Sequence, residues 1–104
     1  MTLHTIEQIK RRVQSTGSHW FDVDTLRYFG SRISSIVYPV PDGALFVTSE
    51  YSGFSNTQRA YTVRRVNDAG KIETVDEFLQ YKTRDAAHRA AKLEQKRIKE
   101  LISI

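Results

Sequence analysis

Ile33-Ser34-Ser35-Ile36-Val37-Tyr38-Pro39-Val40-Pro41-Asp42-Gly43-Ala44-Leu45-Phe46-Val47-Thr48-Ser49-Glu50-Tyr51 is the stretch that decides the fold. Its first part, Ile33 to Tyr38, is β-branched and aromatic, the composition that a pleated, half-buried surface favours. Pro39 and Pro41 then restrict the chain. Pro41-Asp42-Gly43 is a turn with a physical cause, because proline fixes φ and glycine allows the return. Leu45 to Tyr51 resumes as a second strand. Strands joined by so short a connection run antiparallel.

Working outward toward the C-terminus, Ser52 to Gln58 is too polar for an element and reads as a loop. Ala60 to Val66 is a third strand, Asn67-Asp68-Ala69-Gly70 a hairpin turn, and Lys71 to Val75 a fourth strand. Short connections favour a meander. Toward the N-terminus the period is helical. Thr5 starts a helix, with Gln8 reaching back in a capping box. Ile6, Ile9 and Val13 form its apolar stripe, and Gly17 ends it. Asp22 caps a second, short helix through about Phe29, which Gly30 closes. Beyond the sheet, Thr83 caps a long helix with Asp85 in its first turn. Ala86, Ala87, Ala90, Ala91, Leu93, Ile98, Leu101 and Ile102 project onto one broad arc.

An antiparallel sheet needs one covered face, and the C-terminal helix can cover it. The N-terminal helices are expected at an end of the sheet or beside it. The expected fold is α+β and two-layered, one domain over residues 1–104: two N-terminal helices, a four-stranded antiparallel sheet, and a long C-terminal helix packed on it. A chain of 104 residues suits one core, and its 39% hydrophobic and 27% charged side chains are ordinary for a globular protein.

Several chemistries find no residues to carry them. There is no cysteine, hence no disulfide, thiolate nucleophile or cysteine-rich zinc site. His4, His19 and His88 do not stand at metal-ligand spacing. His88 is expected on the polar arc of the last helix, in solvent. No glycine-rich phosphate loop or Gly-x-Ser-x-Gly elbow occurs. Asp22 with Asp24, and Asp76 with Glu77, are acidic pairs that could each hold magnesium, but two carboxylates without further oxygen ligands are a weak signal. No catalytic residue, metal or cofactor is therefore expected. His19-Trp20-Phe21 can be a stacking platform for bases or a hot spot for a protein partner, but Trp20 and Phe21 are expected in the core. The first residues hold no charged stretch followed by an apolar run, and nothing approaches the roughly 20 apolar residues that cross a bilayer. The chain is expected to be complete, cytoplasmic and without a membrane partner. Its oligomeric state is left open.

The charge is more telling. Residues 82–104 carry seven basic and three acidic side chains, a surplus equal to the whole net charge of +4. Arg89, Lys92, Lys96 and Lys99 fall at spacings 3, 4 and 3 on the outer arc of the last helix. Such a ridge can track a nucleic-acid backbone, and is also the ordinary solvated face of a lysine-rich helix. Arg64 and Arg65 are neighbours in a strand and point to opposite faces. One must point away from the helix-covered side, where it can bind phosphate, carboxylate or an aromatic ring, or guard an edge.

Ser18-His19-Trp20-Phe21, Thr25-x-Arg27-Tyr28-Phe29-x-Ser31-Arg32, Val37-Tyr38-Pro39, Phe46 to Glu50, Tyr61 to Arg65 and Thr83-Arg84-x-Ala86-Ala87-His88-x-Ala90-Ala91-Lys92 together form a pattern. Over roughly residues 18–92 it resembles a family of short uncharacterised proteins encoded by phages and plasmids. The resemblance implies a context: a bacterial host cell, and a non-catalytic binding protein of a mobile genetic element. It points first to an inhibitor or modulator of a host nucleic-acid machine, of the anti-defence, anti-CRISPR type. The partner would then be a host protein or nucleoprotein complex. The alternative is a small module that binds DNA or RNA directly through the basic ridge and the sheet arginines. Arg27 and Arg32 belong to the pattern and join Arg64, Arg65, Arg89, Lys92, Lys96 and Lys99 as candidate binding residues. A basic chain argues against mimicry of DNA.

Overall fold

The computed structural model describes residues 2–51 and 58–102, so the expected loop over Ser52 to Gln58 lies outside the described residues except at Gln58. The elements are α1 (Ile6–Gln14), α2 (Val23–Phe29), β1 (Arg32–Val40), β2 (Gly43–Tyr51), β3 (Arg59–Asn67), β4 (Ile72–Val75) and α3 (Arg84–Ile102). The strands form one antiparallel meander in the order β1-β2-β3-β4. This is the expected α+β fold, with α3 packed on the sheet.

β2 is paired on both sides and buried from Gly43 to Glu50. A strand covered on both faces reads as an apolar run, here Ala44-Leu45-Phe46-Val47. Ala44 and Phe46 pack with Leu3, Ile9, Val13, Phe21 and Val66 on one face. Leu45 and Val47 pack with Val40, Val63, Ala87, Ala91 and Ile98 on the other. The sheet is therefore the middle of three layers. The expected two layers, with N-terminal helices beside the sheet, are corrected: α1 covers the face opposite α3. Phe46 and Val66 require that second cover, since leaving either exposed forfeits about 2 kcal/mol of burial.

Local chemistry fixes the pieces. Thr5 accepts a hydrogen bond from the Gln8 amide at 3.1 Å, and the Gln8 side chain accepts from the His4 amide at 2.7 Å, so the return arm of the cap lands one residue early. α1 is tied to the β3–β4 turn, where Arg12 Nε donates to the Asp68 carbonyl. Gly70 lies so close to the Arg12 carbonyl at positive φ that a side chain there would collide. In the β1–β2 turn, a Cβ on Gly43 would overlap the Val66 carbonyl of β3. Asp22 occupies the N-cap position of α2 without capping it; its carboxylate meets His19 Nδ1 at 2.7 Å.

Thr83 caps α3 by accepting from the Ala86 amide at 3.1 Å. The helix buries only Ala87, Ala91 and Ile98. The expected arc was drawn too broad, because Leu93 is 69% exposed on the outer face, and Leu101 and Ile102 are exposed as well. His88 also departs from expectation. Its Nδ1 lies 2.8 Å from the Tyr38 hydroxyl, within partly buried surroundings. Burial, and then the Arg84 guanidinium, hold its pKa below the ordinary 6.5. Burial likewise pushes the Tyr38 phenol up. Phe21 is core as expected, while Trp20 is partly buried against the same cluster.

Candidate nucleic-acid interface

β1 is an edge strand, and its pairing to β2 loses register between Ile33 and Val37. Such a bulge bends an edge away from its neighbour. Behind it opens a cleft of about 390 Å³, lined by Arg32, Ser34, Ser35, Ser49, Arg59, Tyr61 and Arg84 among others. Three arginines, from β1, β3 and the start of α3, thus line one cleft. Among the described residues, no carboxylate lines the cleft.

Arg59 is fixed in place. Its Nε donates to Ser49 Oγ at 3.1 Å, and its Nη2 to the Gly30 and Ser49 carbonyls at 2.6 and 2.7 Å. Its guanidinium also lies 4.6 Å from the Tyr51 ring centroid. Arg32 and Arg84 are exposed. Arg84 is the first residue of α3, where a cation opposes the helix dipole by a few tenths of a kcal/mol or more. Asp85 offsets part of that. Hydroxyls from three serines and Tyr61 complete a donor-rich, cationic hollow suited to a phosphate or carboxylate.

The ridge continues from there. Arg89, Lys92, Lys96 and Lys99 are exposed on the face of α3 turned from the sheet, with Leu93 among them. Lys96 pairs with Glu100 at 4.0 Å. At 100° per residue, Arg84, Lys92 and Lys99 fall within about 80° of one another. That flank faces β1, because Gln95 Nε2 donates to the Pro39 carbonyl at 2.8 Å and His88 meets Tyr38. Arg84 to Lys99 spans about 22 Å of helix axis. Cleft and ridge make one cationic track along the β1 side.

Arg64 and Arg65 lie elsewhere. They do face opposite sides of the sheet, but both sides are covered. Arg65 Nη2 donates to both Asp42 carboxylate oxygens, at 3.1 and 3.0 Å, on the α3 face. Arg64 is largely buried under α2, donating to Thr48, Thr74 and Glu50. Arg27 is exposed in the last turn of α2 and is not among the residues that line the cleft. The structure thus brings Arg32 to the cleft and the four ridge residues to its extension. It gives Arg65 an internal partner, and it adds Arg59 and Arg84, which the ridge spacing alone did not pick out. The signal for Arg84 was its place at the head of α3; Arg59 carried none.

Among the described residues, no group of three or more histidine, aspartate or glutamate side chains could hold a metal ion, and no helix is long and apolar enough to cross a membrane. The model of a family of unknown function, DUF7447, matches residues 5–92. The chain belongs to this family. The match takes in α1, the whole sheet and the first half of α3, so all three cleft arginines are DUF7447 positions while Lys96 and Lys99 lie beyond the matched stretch. No curated protein and no solved structure matches the chain.

Proposed function

We propose that this DUF7447 chain is a small, non-catalytic module that binds nucleic acid through its phosphates. The observation that carries this is that Arg32, Arg59 and Arg84 line one cleft to which no carboxylate among the described residues contributes. Three positive charges lining one hollow, one of them held in place, cost free energy through mutual repulsion, and an anion relieves it. The ridge on the same flank extends the field along a line, as a polyanion requires and a single small anion does not. The groups presented are permanent cations and hydroxyls, which suits holding a phosphate more than transferring a proton.

The test is fluorescence anisotropy of labelled duplex DNA, single-stranded DNA and RNA at low and physiological salt. Log affinity should fall with log salt by about 0.9 for each phosphate neutralised on duplex, or about 0.7 on a single strand. Arg84→Glu should weaken binding at least tenfold and flatten that slope. A wild-type protein that binds no strand at low salt would sink the reading.

A second reading is favoured by α2, which buries no side chain and leaves Val23, Tyr28 and Phe29 exposed, Tyr28 at 83%. An apolar patch of this kind fits a protein partner. With the resemblance to phage and plasmid proteins, it supports an inhibitor or modulator of a host nucleic-acid machine in the bacterial cytoplasm, anti-CRISPR-type proteins included. Val23→Ser with Tyr28→Ala, neither of which lines a cleft assigned to the strand, should then abolish a stoichiometric host complex on co-purification while leaving the strand affinity intact.

A further inference from the structure

Arg64, bonded to Thr48, Thr74 and Glu50, also lines a second cleft. On the α2 face, Trp20, Leu26, Phe29, Glu50, Arg64 and Phe78 surround about 230 Å³. The Arg64 guanidinium lies 5.8 Å from the Trp20 ring centroid and 5.2 Å from that of Phe78. Phe78 and Phe29 remain more than half exposed at the mouth. Phe78 is set there by a short loop in which Asp76 and Leu79 adopt left-handed φ of 59° and 58°, pinned where the Leu79 amide donates to Thr62 Oγ1 at 2.8 Å. Holding a leucine in that conformation is costly, and such outliers gather at ligand sites.

Glu50 supplies the decisive observation. Only 5% of the residue is exposed. Its Oε1 accepts from Arg64 Nη2 at 3.3 Å and from Ser31 Oγ at 3.4 Å. Its Oε2 is buried and has no partner among the described residues. A buried carboxylate oxygen without a donor forfeits a strong, charge-assisted bond, and native proteins rarely leave one so. A donor entering the cleft that Glu50 lines can complete it once the carboxylate turns toward the opening.

The chemistry of that donor is constrained. Glu50 and Arg64 neutralise each other, so a cationic ligand meets Arg64 and an anionic one meets Glu50. A neutral group with an N–H is favoured, carried on a flat ring that aromatic side chains can stack upon. The volume is below that of a drug-sized pocket and admits one ring system. We infer that this cleft takes a single unstacked nucleobase, which donates to Glu50 Oε2 and stacks on Phe78. The inference rests on the phosphate-binding reading, and geometry joins the two. Ser31 and Glu50 line the base cleft, while their chain neighbours Arg32 and Ser49 line the arginine cleft. A strand with a phosphate on Arg32 passes over the β1 edge, where its next base can turn in.

Trp20 is the only tryptophan and lines this cleft, so its emission reports occupancy. The experiment titrates the full chain with a single strand of about twelve nucleotides, with an abasic strand of the same length, and with free nucleosides. Anisotropy and Trp20 emission are followed together. The base-bearing strand should bind roughly tenfold more tightly than the abasic one and quench Trp20, the scale of one stacked base. Phe78→Ala and Glu50→Gln should bring it down to the abasic affinity with an unchanged salt slope. Glu50→Gln keeps an acceptor for Arg64, Phe78→Ala leaves the Arg64 hydrogen bonds to Thr48, Thr74 and Glu50 in place, and a native circular dichroism spectrum checks their fold. Equal affinity for the two strands with unchanged Trp20 emission would overturn the base site and leave phosphate binding standing. Quenching by nucleosides without strand binding would do the reverse. Silence in every arm would end both.

Discussion

At His88, burial and the Arg84 guanidinium both oppose protonation, and Asp85 offsets them only in part. The folded pKa lies below the unfolded value, so the unfolded chain binds the proton more readily. The stability this group contributes is present above about pH 6.5 and is lost as pH falls through the depressed folded pKa. Protonation would also end any acceptor role of Nδ1 toward the Tyr38 hydroxyl. Thermal melts between about pH 8 and pH 5 should show a larger loss of Tm in the wild type than in His88→Gln. Parallel losses in the two proteins would place the pH dependence on other groups. Gly43 makes a steric case at the same scale. Its φ of 152° and the Val66 carbonyl leave no room for a Cβ. Gly43→Ala should cost about 3 kcal/mol in urea unfolding, at the upper end of overpacking effects, because the obstacle is backbone and cannot rotate away. A loss under about 1 kcal/mol would mean that the hairpin turn relaxes.

Among the elements, α3 separates what a helix buries from what it displays. Ala91 is fully buried against the sheet, while Leu93, two residues on, faces out. Ala91→Leu should therefore destabilise by about 1–3 kcal/mol, and Leu93→Gln by less than about 0.5 kcal/mol. Thr83→Ala should cost about 1 kcal/mol through the lost cap. Calorimetry that ranks Leu93 above Ala91 would refute the assigned face. The same helix shows how far the sequence could be read. Its start, its ridge and its contact with the sheet follow from capping chemistry and a period of 3.6. So do the strands and turns from Ile33 to Val75, where proline, glycine and β-branched residues leave few alternatives. Leu93 was misplaced because an arc drawn around every apolar residue is wider than the stripe a flat sheet can cover. The third layer was legible in principle, since Ala44-Leu45-Phe46-Val47 does not alternate and so asks for cover on both faces. The arginine cleft was not legible. Arg32, Arg59 and Arg84 share no period and meet only because β1, β3 and α3 converge. Nor was Glu50, which looks like a polar strand end until β2 proves central.

For the molecule as a whole, the question is whether cleft and ridge act as one surface. Arg84 and Lys99 stand about 22 Å apart along α3, beyond the range over which substitutions usually couple. They are also beyond two Debye lengths at physiological salt, so neither charge strengthens the other directly. Only a ligand that touches both can link them. At the 3.4 Å rise of one strand of a duplex, that distance corresponds to about six phosphates. Affinity should therefore climb with oligonucleotide length up to roughly that number and then level off. On a strand long enough to span the track, the losses from Arg84→Glu and Lys99→Glu should add, within about 0.5 kcal/mol. On a trinucleotide, Lys99→Glu should change little while Arg84→Glu keeps most of its effect, because the three-arginine cleft is the deeper well. Titration calorimetry of the two single variants and the double variant against both lengths decides it. If the trinucleotide responds equally to both substitutions, it has no preferred seat and the cleft is not the anchor. If Lys99→Glu is silent at every length, the track ends before Lys99 and the distal ridge is a solvated helix face.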